Sequence, residues 1–192
     1  IKVLSDTTVI IPAIKNSHIL NNTVKHCLEL KTNPKIIIVT DDKENQIFNK
    51  NEKIKYILVS SGMTMSRKRN LAVDTTDTEF LAFFDSDSFP ANTDWIINAK
   101  NCLKKNNKIY AVGGLDTSPP NESKSQKNVG LLKKSILISG FRNHRKNVLD
   151  EMYVPELSSS NLFMRREKYL ELNGMDENLY TGEDTDLFNR II

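Results

Sequence analysis

A chain of 192 residues has the length of one domain and enough material for a single core. Its 27 basic residues are nearly balanced by 24 acidic ones, and no basic block is long enough to track a nucleic-acid backbone, so no nucleic-acid partner is expected. No apolar run approaches a membrane span and no secretory signal opens the chain.

Taken in chain order, strand-like runs alternate with helical patterns, which predicts an α/β fold around a largely parallel sheet. Val9-Ile10-Ile11 reads as a short buried strand stopped by Pro12. Asn16-Ser17 then opens a helix whose Leu20, Val24, Cys27 and Leu28 recur at helical spacing. The run 36–39 is a second strand ending at Asp41-Asp42, and 54–59 a third, followed by Ser60-Ser61-Gly62 and a helix over 64–74.

Residues 80–84 form a fourth predicted strand, and Asn92-Thr93-Asp94 caps a helix marked by Trp95, Ile96, Ala99, Cys102 and Leu103. A fifth strand over 109–112 closes at Gly113-Gly114. Beyond it, 116–127 reads as a loop, 129–138 as a helix, 161–164 as extended and 166–172 as a helix before Gly174. The chain opens without Met and stops inside a predicted helix over 185–192. One domain, 1–192, cut at its C-terminal end, is therefore expected. Cys27 and Cys102 read as buried reduced thiols, His18 and His26 as helix-surface residues, and His144 as a loop residue.

The fourth strand ends in Asp85-Ser86-Asp87, two carboxylates one residue apart. At the carboxyl end of a sheet strand such a pair faces the crevice where α/β proteins bind ligands. Two hard oxygen ligands beside a polyphosphate suit Mg²⁺ or Mn²⁺, which usually take one or two carboxylates plus substrate phosphates. The plain alternative is a pair of solvated aspartates in a turn. Against it stand Pro12 after the first strand, Asp41-Asp42 after the second and Gly182-Glu183-Asp184 opening the last helix. Each alone has a structural explanation, as a helix cap or as first-turn acids favoured by the helix dipole. Jointly they place acids on one face of a parallel sheet.

At this point the chain resembles the inverting nucleotide-sugar glycosyltransferases of family 2, which have the GT-A fold. The resemblance rests on Val9-Ile10-Ile11-Pro12, the run 36–42, Arg69-Asn70-Leu71-Ala72 and Phe83-Phe84-Asp85-Ser86-Asp87. It continues through Ser160-Asn161-Leu162-Phe163-Met164-Arg165-Arg166, Leu172-Asn173-Gly174-Met175-Asp176-Glu177 and Gly182-Glu183-Asp184-Thr185-Asp186-Leu187. Its second half looks most like members that build surface polysaccharides or glycolipids.

The resemblance implies a GT-A (Rossmann-like) α/β domain that transfers a sugar from a nucleotide-diphosphate sugar, a UDP-sugar by default, to a hydroxyl of a glycan or lipid-linked acceptor. Asp87 would coordinate a divalent metal, Mn²⁺ or Mg²⁺, on the donor diphosphate, and Asp85 would contact the ribose or a metal-bound water. Pro12, Ala13, Asp41, Asp42, Arg69 and Ser86 would line the nucleotide. Asp184 would be the general base, with Glu183 contacting acceptor or metal. A single base and no candidate nucleophile imply inversion. The basic stretch 142–146 reads either as a solvated loop or as cations suited to a phosphate-bearing or anionic-lipid acceptor at a cytoplasmic membrane face, and a cytoplasmic protein, peripheral at the inner membrane face in the second case, is expected.

Two stretches depart from the family pattern. Ala13 and Ile14 stand where a hydroxyl residue and an aromatic are common, and Lys43-Glu44-Asn45 replace the usual small residues. Two other readings compete. A sugar nucleotidyltransferase carries a Gly-rich loop after the first strand, whereas here that place holds Pro12-Ala13-Ile14-Lys15-Asn16. A non-catalytic nucleotide- or carbohydrate-binding relative would be expected to lose the metal acid or the base, and both Asp87 and Asp184 are present.

Overall fold

The computed structural model describes residues 5–44, 46–114 and 152–191. The loop at 116–127, the helix at 129–138, His144 and the basic stretch 142–146 all lie outside the described residues. Six described strands form one sheet in the order β3-β2-β1-β4-β6-β5, with β1 Thr7–Ala13, β2 Lys35–Thr40, β3 Ile54–Leu58, β4 Phe80–Phe84, β5 Ala111–Gly113 and β6 Asn161–Arg165. Strands β1 to β4 are mutually parallel, and β6 runs antiparallel to both β4 and β5. The mostly parallel α/β reading therefore holds.

Burial explains the composition of the central strands. Every residue of β1 and β4 is buried, as a strand covered on both faces requires, and both read as continuous apolar runs rather than alternating ones. Alternate side chains serve two separate cores. Val9, Ile11, Ile36, Ile38, Ala82 and Phe84 pack with helices α1 (His18–Leu28) and α3 (Trp95–Lys105). Ile10, Ile37, Val39, Leu81 and Phe83 face α2 (Met65–Asp74), α4 (Arg166–Glu171) and α5 (Glu183–Asn189).

Several expectations change in detail. The first strand runs through Pro12 to Ala13 instead of stopping before the proline. Pairing with β4 ends at Ile10, so Pro12, which lacks an N–H, stands where β1 has β2 alone beside it. The fifth strand is Ala111–Gly113, shifted two residues later at its start because only those residues pair with β6. The last helix begins at Glu183 rather than Thr185. Cys27 is fully buried, and burial pushes its thiol pKa up, but Cys102 is only partly covered. His26 is half-buried and stacks on Phe89 with ring centroids 4.2 Å apart, so it is not a plain surface residue.

Candidate active site

The parallel strands deliver their carboxyl ends to one rim, and β6, running the other way, delivers its amino end there. Phe84 pairs with Asn161, so residues 158–160 arrive beside Asp85. A hydroxyl fastens the two segments. Ser88 Oγ accepts from the Asp85 backbone N–H at 2.8 Å and donates to the Ser160 carbonyl at 2.8 Å. On the opposite side, Thr23 Oγ1 of α1 donates to the Ser86 carbonyl at 3.1 Å. The turn carrying both aspartates is thus braced by its own loop, by β6 and by a helix.

Above this rim opens a cleft of about 480 Å³. Pro12, Arg69, Asp85, Ser86 and Asp87 line it together with Glu183 and Asp184. Seven of the residues singled out from sequence therefore meet in one cleft although they span 172 positions from Pro12 to Asp184. Asp41, Asp42 and Ala13 do not line it. They form a neighbouring group at the ends of β1 and β2.

Helix α2 supplies the cations. Thr64 caps it, its Oγ1 accepting from Arg67 N–H at 3.3 Å. Ser66, Arg69 and Val73 fall on one helical face and are buried, as are the neighbouring Lys68 and Ala72. Arg69 is 2% exposed and forks between two carboxylates: Nη2 to Asp85 Oδ1 at 2.6 Å and Nη1 to Glu183 Oε1 at 2.9 Å. Its Nε has no hydrogen-bond partner among the described residues. Burial raises the Asp85 carboxyl above its ordinary value, Arg69 opposes that rise, and the Asp87 and Glu183 charges add to it.

Lys68, fully buried, donates to the Ala13 carbonyl at 2.7 Å and to Asp41 Oδ1. It ties the end of β1 to the end of β2. Asp42 is occupied with the chain around it. Its carboxylate accepts from the backbone N–H groups of Glu44 at 2.9 Å and Asn16 at 3.0 Å, and these two bonds hold its pKa below the ordinary carboxylate value. The Asn16 side chain, almost wholly buried, donates to the Asp42 and Glu44 carbonyls. The loop that departs from the family pattern is therefore closed by its own hydrogen bonds.

Asp184 lies one residue past Glu183 in the first turn of α5. Its Oδ1 accepts from the Thr185 N–H at 2.9 Å, and Thr185 Oγ1 donates to Glu156 at 2.8 Å. Asp87 is exposed to the cleft and has no ion pair or hydrogen bond among the described residues. Sequence reasoning passed over Lys68, Ser88 and Asn16. One signal was available for Lys68. The predicted helix over 64–74 had few apolar residues for an element that must pack on a sheet, so its buried face had to carry polar groups.

An open, mostly parallel sheet with acids gathered at one rim and a cleft above them has the form in which α/β proteins bind ligands at the carboxyl ends of their strands. The family model described as glycosyl transferase family 2 matches residues 8–172, and the chain belongs to that family. Solved structures share the GT-A fold. The mannosyltransferase PcManGT from Pyrobaculum calidifontis, in complex with GDP-Man and Mn²⁺, superposes with a TM-score of 0.66 at 14% identity, covering 99% of this chain and 52% of that one. S. aureus TarS residues 1–349, in complex with UDP-GlcNAc, gives 0.70 at 14% identity, covering 96% and 52%. The chain thus spans about half the length of these structures. No curated protein sequence matches it significantly.

Proposed function

We propose that this domain transfers a sugar from a nucleotide-diphosphate donor to an acceptor hydroxyl, with inversion, and that the donor diphosphate sits at Asp85–Asp87. The observation that carries this reading is the single cleft joining Asp85 and Asp87 to Glu183 and Asp184. Donor-side acids and a candidate base then share one space, which direct displacement requires. Neighbours of the same fold hold GDP-Man and UDP-GlcNAc, which supports a nucleotide-sugar donor here and leaves UDP and GDP as the two nucleotides to compare.

The residues fit a divalent cation of the Mg²⁺ or Mn²⁺ kind. Asp87 offers an exposed carboxylate unpaired among the described residues, and Asp85 a second one partly engaged by Arg69. No group of three or more potential ligands occurs among the described residues. That suits an ion taking one or two protein carboxylates and completing its shell with phosphate oxygens and water. When bound, such an ion supplies Lewis-acid neutralisation of the departing diphosphate.

The chain's own residues do the rest. Ser88 and Thr23 fix the turn so that Asp87 is presented without reorganisation. Glu183, committed to Arg69, is a positioning residue, while the adjacent Asp184 accepts the acceptor hydroxyl proton on its carboxylate. Direct displacement by a hydroxyl that Asp184 deprotonates inverts the anomeric carbon. Asp41, Asp42, Pro12 and Ala13 form the wall on the nucleotide side, and a glycan or glycolipid supplies the acceptor. The described helices include none long and apolar enough to cross a membrane.

Calorimetry of UDP and GDP, each with and without Mn²⁺, tests the reading on wild type and Asp87→Ala. Metal-dependent binding of one nucleotide that disappears in Asp87→Ala is expected. Metal-independent binding, or full retention in the variant, would overturn it.

A further inference from the structure

We propose that Tyr180 is the platform on which the acceptor's sugar ring lies while Asp184 receives its hydroxyl proton, an inference that rests on the transferase reading above. Tyr180 lines the same cleft as Asp184, yet 83% of its surface is exposed. It makes no hydrogen bond or ring contact among the described residues.

A single exposed aromatic on a loose loop needs no explanation. Tyr180 is held differently. The strand of chain leading to it is fastened to α2 at three points: Asn70 Nδ2 donates to the Met175 carbonyl at 2.8 Å, Thr64 Oγ1 to Glu177 at 3.1 Å and Ser66 Oγ to Leu179 at 3.2 Å. Two residues later the Gly182 carbonyl accepts from Asp186 N–H at 2.9 Å, which starts α5. The ring is therefore presented on a fixed support at the rim of a polar cleft. A backbone already fixed there meets part of the ordering cost of binding, leaving only the ring's own rotation to be restricted.

The ring's chemistry selects the ligand. A pyranose offers a face of C–H groups and an edge of hydroxyls, and an aromatic ring takes the first while leaving the second to polar groups. Here the polar groups are Ser158, Ser159 and Asp184 in the same cleft. Asp184 follows Tyr180 by four residues and lines the same cleft, so a sugar resting on the tyrosine shares its space with the proposed base. A nucleotide base is the less suited occupant, because of the nucleotide wall only Pro12 lines this cleft, while Ala13, Asp41 and Asp42 do not.

Saturation-transfer NMR on the 192-residue chain tests the assignment, with diamagnetic Mg²⁺ and a nucleoside diphosphate (UDP or GDP) present. The probes are methyl glucoside, methyl galactoside and methyl N-acetylglucosaminide, each offered to wild type, Tyr180→Phe and Tyr180→Ala. At least one pyranoside should receive saturation through the C–H groups of one face. Tyr180→Phe should retain that contact, and Tyr180→Ala should weaken binding roughly tenfold, about 1.4 kcal/mol. Nucleoside diphosphate affinity, measured in parallel by calorimetry, should be equal in all three. Three outcomes would each overturn the proposal: no transfer to wild type from any pyranoside, unchanged transfer in Tyr180→Ala, or loss of nucleotide affinity in Tyr180→Ala, which would make the ring a base platform. Pyranoside contact through Tyr180 without metal-dependent nucleotide binding would leave this surface standing and remove the transferase reading instead.

Discussion

Arg69 and Glu183 are 114 positions apart in sequence and bonded at 2.9 Å, through a guanidinium that is 2% exposed and also holds Asp85. One buried cation thus joins the turn of Asp85 and Asp87 to the helix that opens with Glu183 and Asp184. Removing it leaves two carboxylates facing each other across a gap without their counter-charge. Arg69→Ala should lower unfolding free energy by about 3 kcal/mol, the low end for breaking a buried pair because Asp85 keeps some solvent. Urea denaturation measures this. Arg69→Lys restores charge but has no fork, so it should recover stability only in part.

Asp184 and Glu183 are adjacent, and turnover should separate them. Asp184→Asn keeps the shape and removes the proton acceptor, so kcat should fall by roughly 10²–10⁴-fold while donor affinity stays unchanged. Glu183→Gln should lower kcat less and cost stability as well, since its loss leaves Arg69 with a single carboxylate. Steady-state kinetics with the donor found by calorimetry gives the order. A larger kcat loss in Glu183→Gln would exchange the two roles.

Lys68→Met should destabilise the fold by about 3 kcal/mol, because Asp41, only 11% exposed, would then lack the buried ammonium that neutralises it. The double variant Lys68→Met/Asp41→Asn should recover a good part of that loss. Additive losses in the cycle would show that the two side chains act separately.

The Asp42 carboxylate is held below its ordinary value of 3.8 by the Glu44 and Asn16 amides. A depressed carboxylate contributes stability above its unfolded pKa and loses it as pH falls through its folded value. The melting temperature of Asp42→Asn should therefore lie below wild type at neutral pH, and the gap should close as pH drops below about 3.8. A gap that widens on acidification would contradict the assignment.

The sheet was legible because its strands are buried on both faces and read as unbroken apolar runs, such as 36–39 and 80–84. Asp85 and Asp87 were legible because a strand end is a fixed place in such a fold. What escaped was the fate of individual side chains. Arg69 was read as lining the nucleotide, and its sharing between two carboxylates, one of them 114 positions away, went unseen. No local pattern encodes a partner at that separation. Lys68 escaped for the converse reason. A lysine on a helix is usually solvated, and only the packing of α2 beneath the rim takes this one fully out of water. Pro12 misled the strand boundary because the neighbour that would have needed its missing donor ends two residues earlier.

The reversed direction of β6 has an evolutionary side. Gly113, at the end of β5, pairs with Leu162, near the start of β6, so the chain leaves the sheet and returns to it at adjacent points beside the cleft. Whatever lies between them can lengthen or shorten without moving a single strand, since closing a loop twice as long costs only about 0.6 kcal/mol. Asp85 and Asp87, by contrast, follow a central strand and move only with the sheet. The connection from β5 to β6 is thus the point where length can change at least cost to the sheet, while its last residues, Ser158 to Ser160, stay tied to the cleft and its bracing.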